Sequence, residues 1–121
     1  MISLTLPFPP SLNTLYATYK SRRILSHKGR TYHQRIIYLV RKALGRPEPL
    51  SGRIEVSYTF CAPDHQRRDL SNFTKALADA LTMARVWQDD SQIDAEHLYR
   101  GAVVKGGSVT ITINEIEKAK A

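Results

Sequence analysis

The chain of 121 residues is 42% hydrophobic and carries 18 lysines and arginines against 11 aspartates and glutamates, a formal charge of +7. That length suits one globular domain, residues 1–121, able to bury about two thirds of the surface of the unfolded chain without staples. The lone Cys61 excludes an intrachain disulfide, no apolar run approaches the ~20 residues that cross a bilayer, and no basic leader with an apolar core opens the sequence, so a cytoplasmic protein with no membrane association is expected.

Ile2, Leu4 and Leu6 alternate with Ser3 and Thr5, which predicts a half-buried strand ended by the prolines that follow. Residues 11–30 predict a long basic loop. From Thr31 to Leu44, Tyr32, Ile36, Leu39, Val40 and Ala43 recur at helical spacing, with Gly45 and Pro47 as the stop and Arg35 and Lys42 on the wet side. Ile54, Val56, Tyr58 and Phe60 then alternate with Glu55, Ser57, Thr59 and Cys61, the clearest strand in the chain. The basic loop from Pro63 to Arg68 leads into a helix that starts around Asp69, Ser71 and Asn72 and ends near Arg85. At about 100° per residue, Leu70, Phe73, Leu77, Leu81 and Ala84 share an apolar face while Asn72, Lys75 and Asp79 group on the opposite one. After Trp87, expected in the core, the acidic loop 88–94 precedes a strand around His97 to Val104, a Lys105-Gly106-Gly107 turn and a strand over Ser108 to Ile116, together a hairpin. Four strands and two main helices predict a small α+β domain with helices packed on a mixed four-stranded sheet.

The placement of charge points toward chemistry. Nine of the 18 basic residues lie between Lys20 and Arg46, and the first 47 residues contain no Asp or Glu. Such a block neutralises phosphates and releases their condensed counterions; its plain alternative is a solvated face that aids solubility. All six aspartates fall between Asp64 and Asp94, close in sequence to Arg67, Arg68 and Lys75. Hard divalent cations take oxygen ligands, commonly one or two carboxylates with water and substrate phosphate, so Asp69 and Asp90 are the candidate ligands of a phosphodiester-cleaving site. Their plain alternatives are a helix cap at Asp69 and an exposed turn at Asp89 and Asp90. Lys75 would offset charge on a reacting phosphate, or simply pair with Asp79 one helical turn on. His27, His33, His65 and His97 lack zinc-type spacing and are expected on the surface or in loops. Tyr16 and Tyr19 could stack on unpaired bases.

Four segments in order, LPFPPSLN, RRDLSNFTKALADAL, VWQDDSQID and the KGG turn, resemble the RusA family of Holliday junction resolvases over nearly the whole chain. The resemblance implies a small homodimeric α+β endonuclease that binds four-way DNA junctions and, with Mg2+ or Mn2+, makes paired nicks during recombination and repair. It implies Asp69, Lys75 and Asp90 as catalytic residues, with Asp69 and Asp90 on the metal and Asn72 matching the family's asparagine; Ser71, Asn72, Asp79 and Asp89 are the further candidates for the metal or for support behind it. Asn13, Lys20, Arg22, Arg23, Lys28, Arg30, Arg67 and Arg68 are the expected DNA contacts. The departure is Ser71, which stands where the family's second catalytic aspartate is expected. A neutral hydroxyl is a weaker ligand than a carboxylate, so the alternative expectation is a junction-binding protein weakened in cleavage.

Overall fold

Alternating sequences form the sheet and two amphipathic helices cover it. The computed structural model describes residues 1–46 and 48–116, so the expected stop at Pro47 lies outside the described residues. The elements run β1 (Ile2–Leu6), α1 (Leu12–Leu15), β2 (Tyr16–Tyr19), β3 (Arg22–Leu25), α2 (His27–Leu44), β4 (Ile54–Cys61), α3 (Thr74–Met83), β5 (Ile93–Arg100) and β6 (Ser108–Glu115). Short 3-10 turns at Leu70–Phe73 and Asp90–Gln92 lead into α3 and β5.

The four-stranded sheet has the order β1-β6-β4-β5, antiparallel except for the parallel β4–β5 pair. On its covered face Val109 and Ile111 of β6 lie opposite Phe60 and Tyr58 of β4 and opposite Leu6 and Leu4 of β1, all of them buried. Tyr32, Ile36 and Val40 of α2 and Ala76, Leu77, Ala80 and Leu81 of α3 close the same core. The opposite face of the sheet carries the half-buried hydroxyls of Ser57, Thr59, Thr110 and Thr112. The α+β class with a mixed four-stranded sheet and two main helices stands. Among the described residues no helix is long and apolar enough to cross a membrane.

Two expectations are corrected. The last two strands are not a hairpin, because β4 lies between β5 and β6. Residues 101–107 are too many for a two-residue hairpin turn, and they pass over the end of β4, where Gly101 N and Val104 N donate to Phe60 O (2.9 Å) and Ala62 O (3.0 Å). The strictly alternating β6 takes a central position, and β5, with five of its eight residues exposed, takes the edge. It also begins at Ile93 rather than near His97.

The basic stretch 11–30 is not a loop. It contains α1, the separate β2–β3 ribbon and the first turn of α2, which starts at His27 because Ser26 caps it, its hydroxyl accepting from Gly29 N at 3.0 Å. Gly29 is demanded by closeness: a Cβ there would lie 2.6 Å from Leu15 O. Gly45 ends α2 at φ 72°, with its N–H on Arg41 O at 2.8 Å.

Candidate active site

β4, α3 and β5 form a parallel crossover unit, and the acidic segments lie in its connections. Leaving β4, the chain is pinned where Arg68 Nη1 donates to Asp64 Oδ1 at 2.6 Å and Arg100 Nη2 donates to Arg68 O at 2.8 Å. Asp69 follows in extended conformation and occupies the cap position of the 3-10 turn, yet its side chain makes no cap hydrogen bond. The plain alternative for Asp69 therefore has no geometric support. Arg67, Arg68, Asp69 and Asn72 line one hollow.

A second cleft, of about 340 Å³, lies between α3 and β5 and is lined by Lys75, Asp90, Asp94 and Glu96 among others. Asp90 is oriented there by a clamp. Its Oδ1 accepts from the Thr82 hydroxyl and, at 3.1 Å, from Nε1 of the fully buried Trp87. The backbone on either side is equally fixed. Asp89 Oδ2 accepts from Ser91 N at 3.0 Å, and the buried Gln92 uses its whole amide: Oε1 accepts from Gln88 N and Asp89 N, Nε2 donates to Leu50 O and Gly52 O, all at 2.8 Å. Asp89 is thus a cap in a reciprocal capping box, and its bond to Ser91 holds its carboxyl below the usual range.

Among the residues lining this cleft, Lys75 stands against three carboxylates, those of Asp90, Asp94 and Glu96. Lys75 Nζ lies 3.1 Å from Asp79 Oδ1, which raises the lysine's proton affinity and keeps it cationic. Glu96 is pushed above the usual carboxylate range by burial and by the negative charge of Asp90. Asp90 and Asp79 also border a hollow of about 360 Å³ on the side of α2 and the ribbon, together with Tyr16, Leu25 and His33.

His33 corrects the expectation of four surface or loop histidines. It is only 3% exposed, and neither ring nitrogen has a hydrogen-bond partner. It falls on the buried stripe of α2 with Gly29, Ile36 and Val40, and burial holds its pKa below the ordinary value. That spacing was the available signal. Glu96 was hidden because β5 was expected to start beyond it; a strand from Ile93, with a register shift after its first pair, sets Glu96 opposite Val56 of β4, whose side chain faces the core. Thr82, Trp87 and Gln92 gain their polar roles from tertiary packing, which no periodicity encodes.

The structure brings Lys75, Asp79 and Asp90 together and puts Asp69 and Asn72 in the other hollow, about one helical turn before Lys75. Ser71 is exposed and lines neither. Asn13, Lys20, Arg22, Arg23, Lys28, Arg30 and Arg67 are exposed and Arg68 is half buried. Arg23 stacks over Tyr16 at 4.3 Å and Arg30 Nη1 donates to Leu25 O at 2.8 Å.

Among the described residues no three His, Cys, Asp or Glu side chains gather closely enough to hold a metal by themselves. By donor chemistry the uncommitted oxygens of Asp69 and Asp90, one in each hollow, suit a hard cation shared with substrate. Asp64, Asp79 and Asp94 are in ion pairs with Arg68, Lys75 and Arg53, and Asp89 is a cap. Asp69 has no side-chain hydrogen bond among the described residues and Asp90 has one free oxygen, which suits a Mg2+ or Mn2+ held by one or two carboxylates, water and a phosphate.

Comparison with known proteins finds relatives along nearly the whole chain. The family described as Endodeoxyribonuclease RusA matches residues 7–114. The chain is 38% identical over 117 residues to the crossover junction endodeoxyribonucleases RusA of Escherichia coli strain K12 and Shigella sonnei strain Ss046, with 94% of each chain covered. It is 36% identical over 116 residues to that of Enterobacteria phage 82, with 93% of each covered. With the family's match spanning nearly all the described residues, this chain belongs to the RusA endodeoxyribonuclease family.

Proposed function

We propose that the chain is a Mg2+- or Mn2+-dependent, structure-specific endodeoxyribonuclease that resolves Holliday junctions by paired nicks, working in the cytoplasm in DNA recombination and repair. The observation that carries the proposal is Asp90, clamped through one carboxylate oxygen by Thr82 and Trp87 with the other oxygen open, in a cleft shared with Lys75.

Asp90 and Asp69 would hold the cation. When bound, it polarises the scissile phosphate and makes water a nucleophile at neutral pH. Lys75, kept protonated by Asp79, supplies positive charge where the phosphate becomes more negative in the transition state. Arg67 and Arg68, beside Asp69, and the exposed cations from Lys20 to Arg30 contact phosphates and position the duplex arms without reading sequence. Paired nicks on a two-fold symmetric junction need two equivalent sites, hence an isologous homodimer.

The test is a Mg2+ titration of nicking on a synthetic four-way junction beside a linear duplex of equal length. Metal-dependent paired nicks on the junction alone are expected, with binding that weakens about 10³-fold between 50 and 200 mM salt if six phosphates are contacted. Nicking that needs no divalent metal, or that is equally fast on duplex, would refute the proposal. Tight junction binding without nicking at any Mg2+ or Mn2+ concentration would select the alternative weakened in cleavage.

A further inference from the structure

The β2–β3 ribbon has two unlike faces. Its register pairs Tyr16 with Leu25, Ala17 with Ile24, Thr18 with Arg23 and Tyr19 with Arg22. Residues directly opposite one another share a face. One face is anchored: Tyr16 and Leu25 are half buried and line the hollow that also holds Asp79 and Asp90. The other carries Ala17, Tyr19, Arg22 and Ile24, all exposed, with Tyr19 at 59% and Ile24 at 39%. At the tip, Lys20 Nζ lies 5.4 Å from the centre of the Tyr19 ring.

A ribbon that met only phosphates would need only charge. This outer face sets an aromatic ring and a branched aliphatic chain beside cations, in a stretch of 47 residues that contains no acid. Its occupant must therefore be anionic and also present apolar surface. Nucleic acid does so where base faces are accessible, and aromatic and apolar side chains exploit this by stacking on bases or wedging between steps. Where its arms are unstacked, a four-way junction leaves base faces at the exchange point open to such contacts.

We propose that Tyr19 and Ile24, flanked by Lys20 and Arg22, pack against the opened bases at the exchange point and give the protein its preference for branched over linear DNA. This rests on the junction reading above and adds the residues that recognise the branch. The rooting of the ribbon on the Asp90 hollow couples recognition of the branch to placement of the phosphates.

The experiment measures binding of a Tyr19→Ala/Ile24→Thr variant to a four-way junction and to linear duplex by fluorescence anisotropy in EDTA, at one salt concentration, beside the unmodified protein. Junction affinity should fall roughly tenfold or more, as the loss of a stacked aromatic implies, with duplex affinity held within about twofold. Tyr19→Phe should keep the preference and Tyr19→Ser should lose it. An unchanged ratio of junction to duplex affinity, or an equal loss on both, overturns the proposal. If the unmodified protein itself shows no junction preference, the junction reading fails and the proposal with it. Melting temperatures of the exposed-site variants should match the parent, and Tyr19→Phe against Tyr19→Ser decides the case if the double variant melts lower.

Discussion

Asp90 and the β2–β3 ribbon border the same hollow and are held in opposite ways. Around Asp90, Thr82, Trp87, Asp89 and Gln92 form a nearly complete hydrogen-bond network, and two of these side chains are buried. Between Ala17 and Ile24, no side chain makes a hydrogen bond among the described residues, and the two turn residues have left-handed backbone, Lys20 at φ 50° and Ser21 at φ 62°. Turns of this two-residue kind are normally made by Asn and Gly. On the proposed function the contrast separates two needs: a reacting group must be fixed to a fraction of an ångström, whereas a surface that grips DNA gains from compliance.

Breaking the fixed side should have the largest effect. Asp90→Asn keeps an acceptor oxygen for Thr82 and Trp87 but removes the charge, so single-turnover nicking should fall by about 10³-fold, roughly 4 kcal/mol of barrier, with an almost unchanged melting curve. Asp69→Asn should behave alike. Wild-type rates in either variant would remove that residue from the site.

Gln92→Leu takes the side-chain partner from Gln88 N, Asp89 N, Leu50 O and Gly52 O, leaving among these groups the 3.3 Å bond from Gln88 N to Leu50 O, and should cost about 3 kcal/mol in chemical denaturation. No substitution confined to the outer face of the ribbon should approach that figure. If one did, the contrast between the two regions would fail.

At the ribbon tip the sign reverses. Lys20→Asn with Ser21→Gly relieves the left-handed strain and should stabilise the fold by about 1 kcal/mol, while weakening DNA binding through loss of the Lys20 charge. A drop in stability would show that the turn is not strained.

The smallest effect concerns pH. His33 has a folded-state pKa below its ordinary value because burial disfavours the cation. The unfolded chain therefore takes up the proton first, and stability present above about pH 6.5 should decline as pH falls through that value. His33→Leu should flatten the dependence between pH 7 and 5, measured by urea denaturation. An identical slope in both proteins would contradict the burial.

The parts legible in sequence are those where one periodicity decides. Ile54 to Phe60 and Val109 to Ile113 could only be strands with one buried face, and the Leu77 and Leu81 stripe fixed the packed side of α3. Asp69 and Asp90 stood out because short carboxylates are concentrated there, and both keep uncommitted oxygens in the fold. The ribbon was hidden because Lys20 and Ser21 give no turn signal and neither of its short strands, Tyr16–Tyr19 and Arg22–Leu25, alternates strictly between apolar and polar residues. Strand order was hidden for another reason: alternation says that β6 is buried on one face but not which neighbours it takes. The clamp on Asp90 depends on Thr82 and Trp87 meeting across a chain reversal, at Arg85 with φ 66°.

The position of β6 also orders events during synthesis. It follows every other described element in the chain, yet it supplies the ladder on one side of both β1 and β4, pairing Ile2 with Ile113 and Val56 with Ile113. A nascent chain that ends before Ser108 has made the segments carrying Asp69, Lys75 and Asp90 but has no strand to join β1 to β4. The four-stranded sheet would thus close only once β6 has left the ribosome, late closure of the kind that slows folding in sheets with distant partners. A translation intermediate would carry Asp69, Lys75 and Asp90, the proposed site residues, before the sheet that supports them is closed.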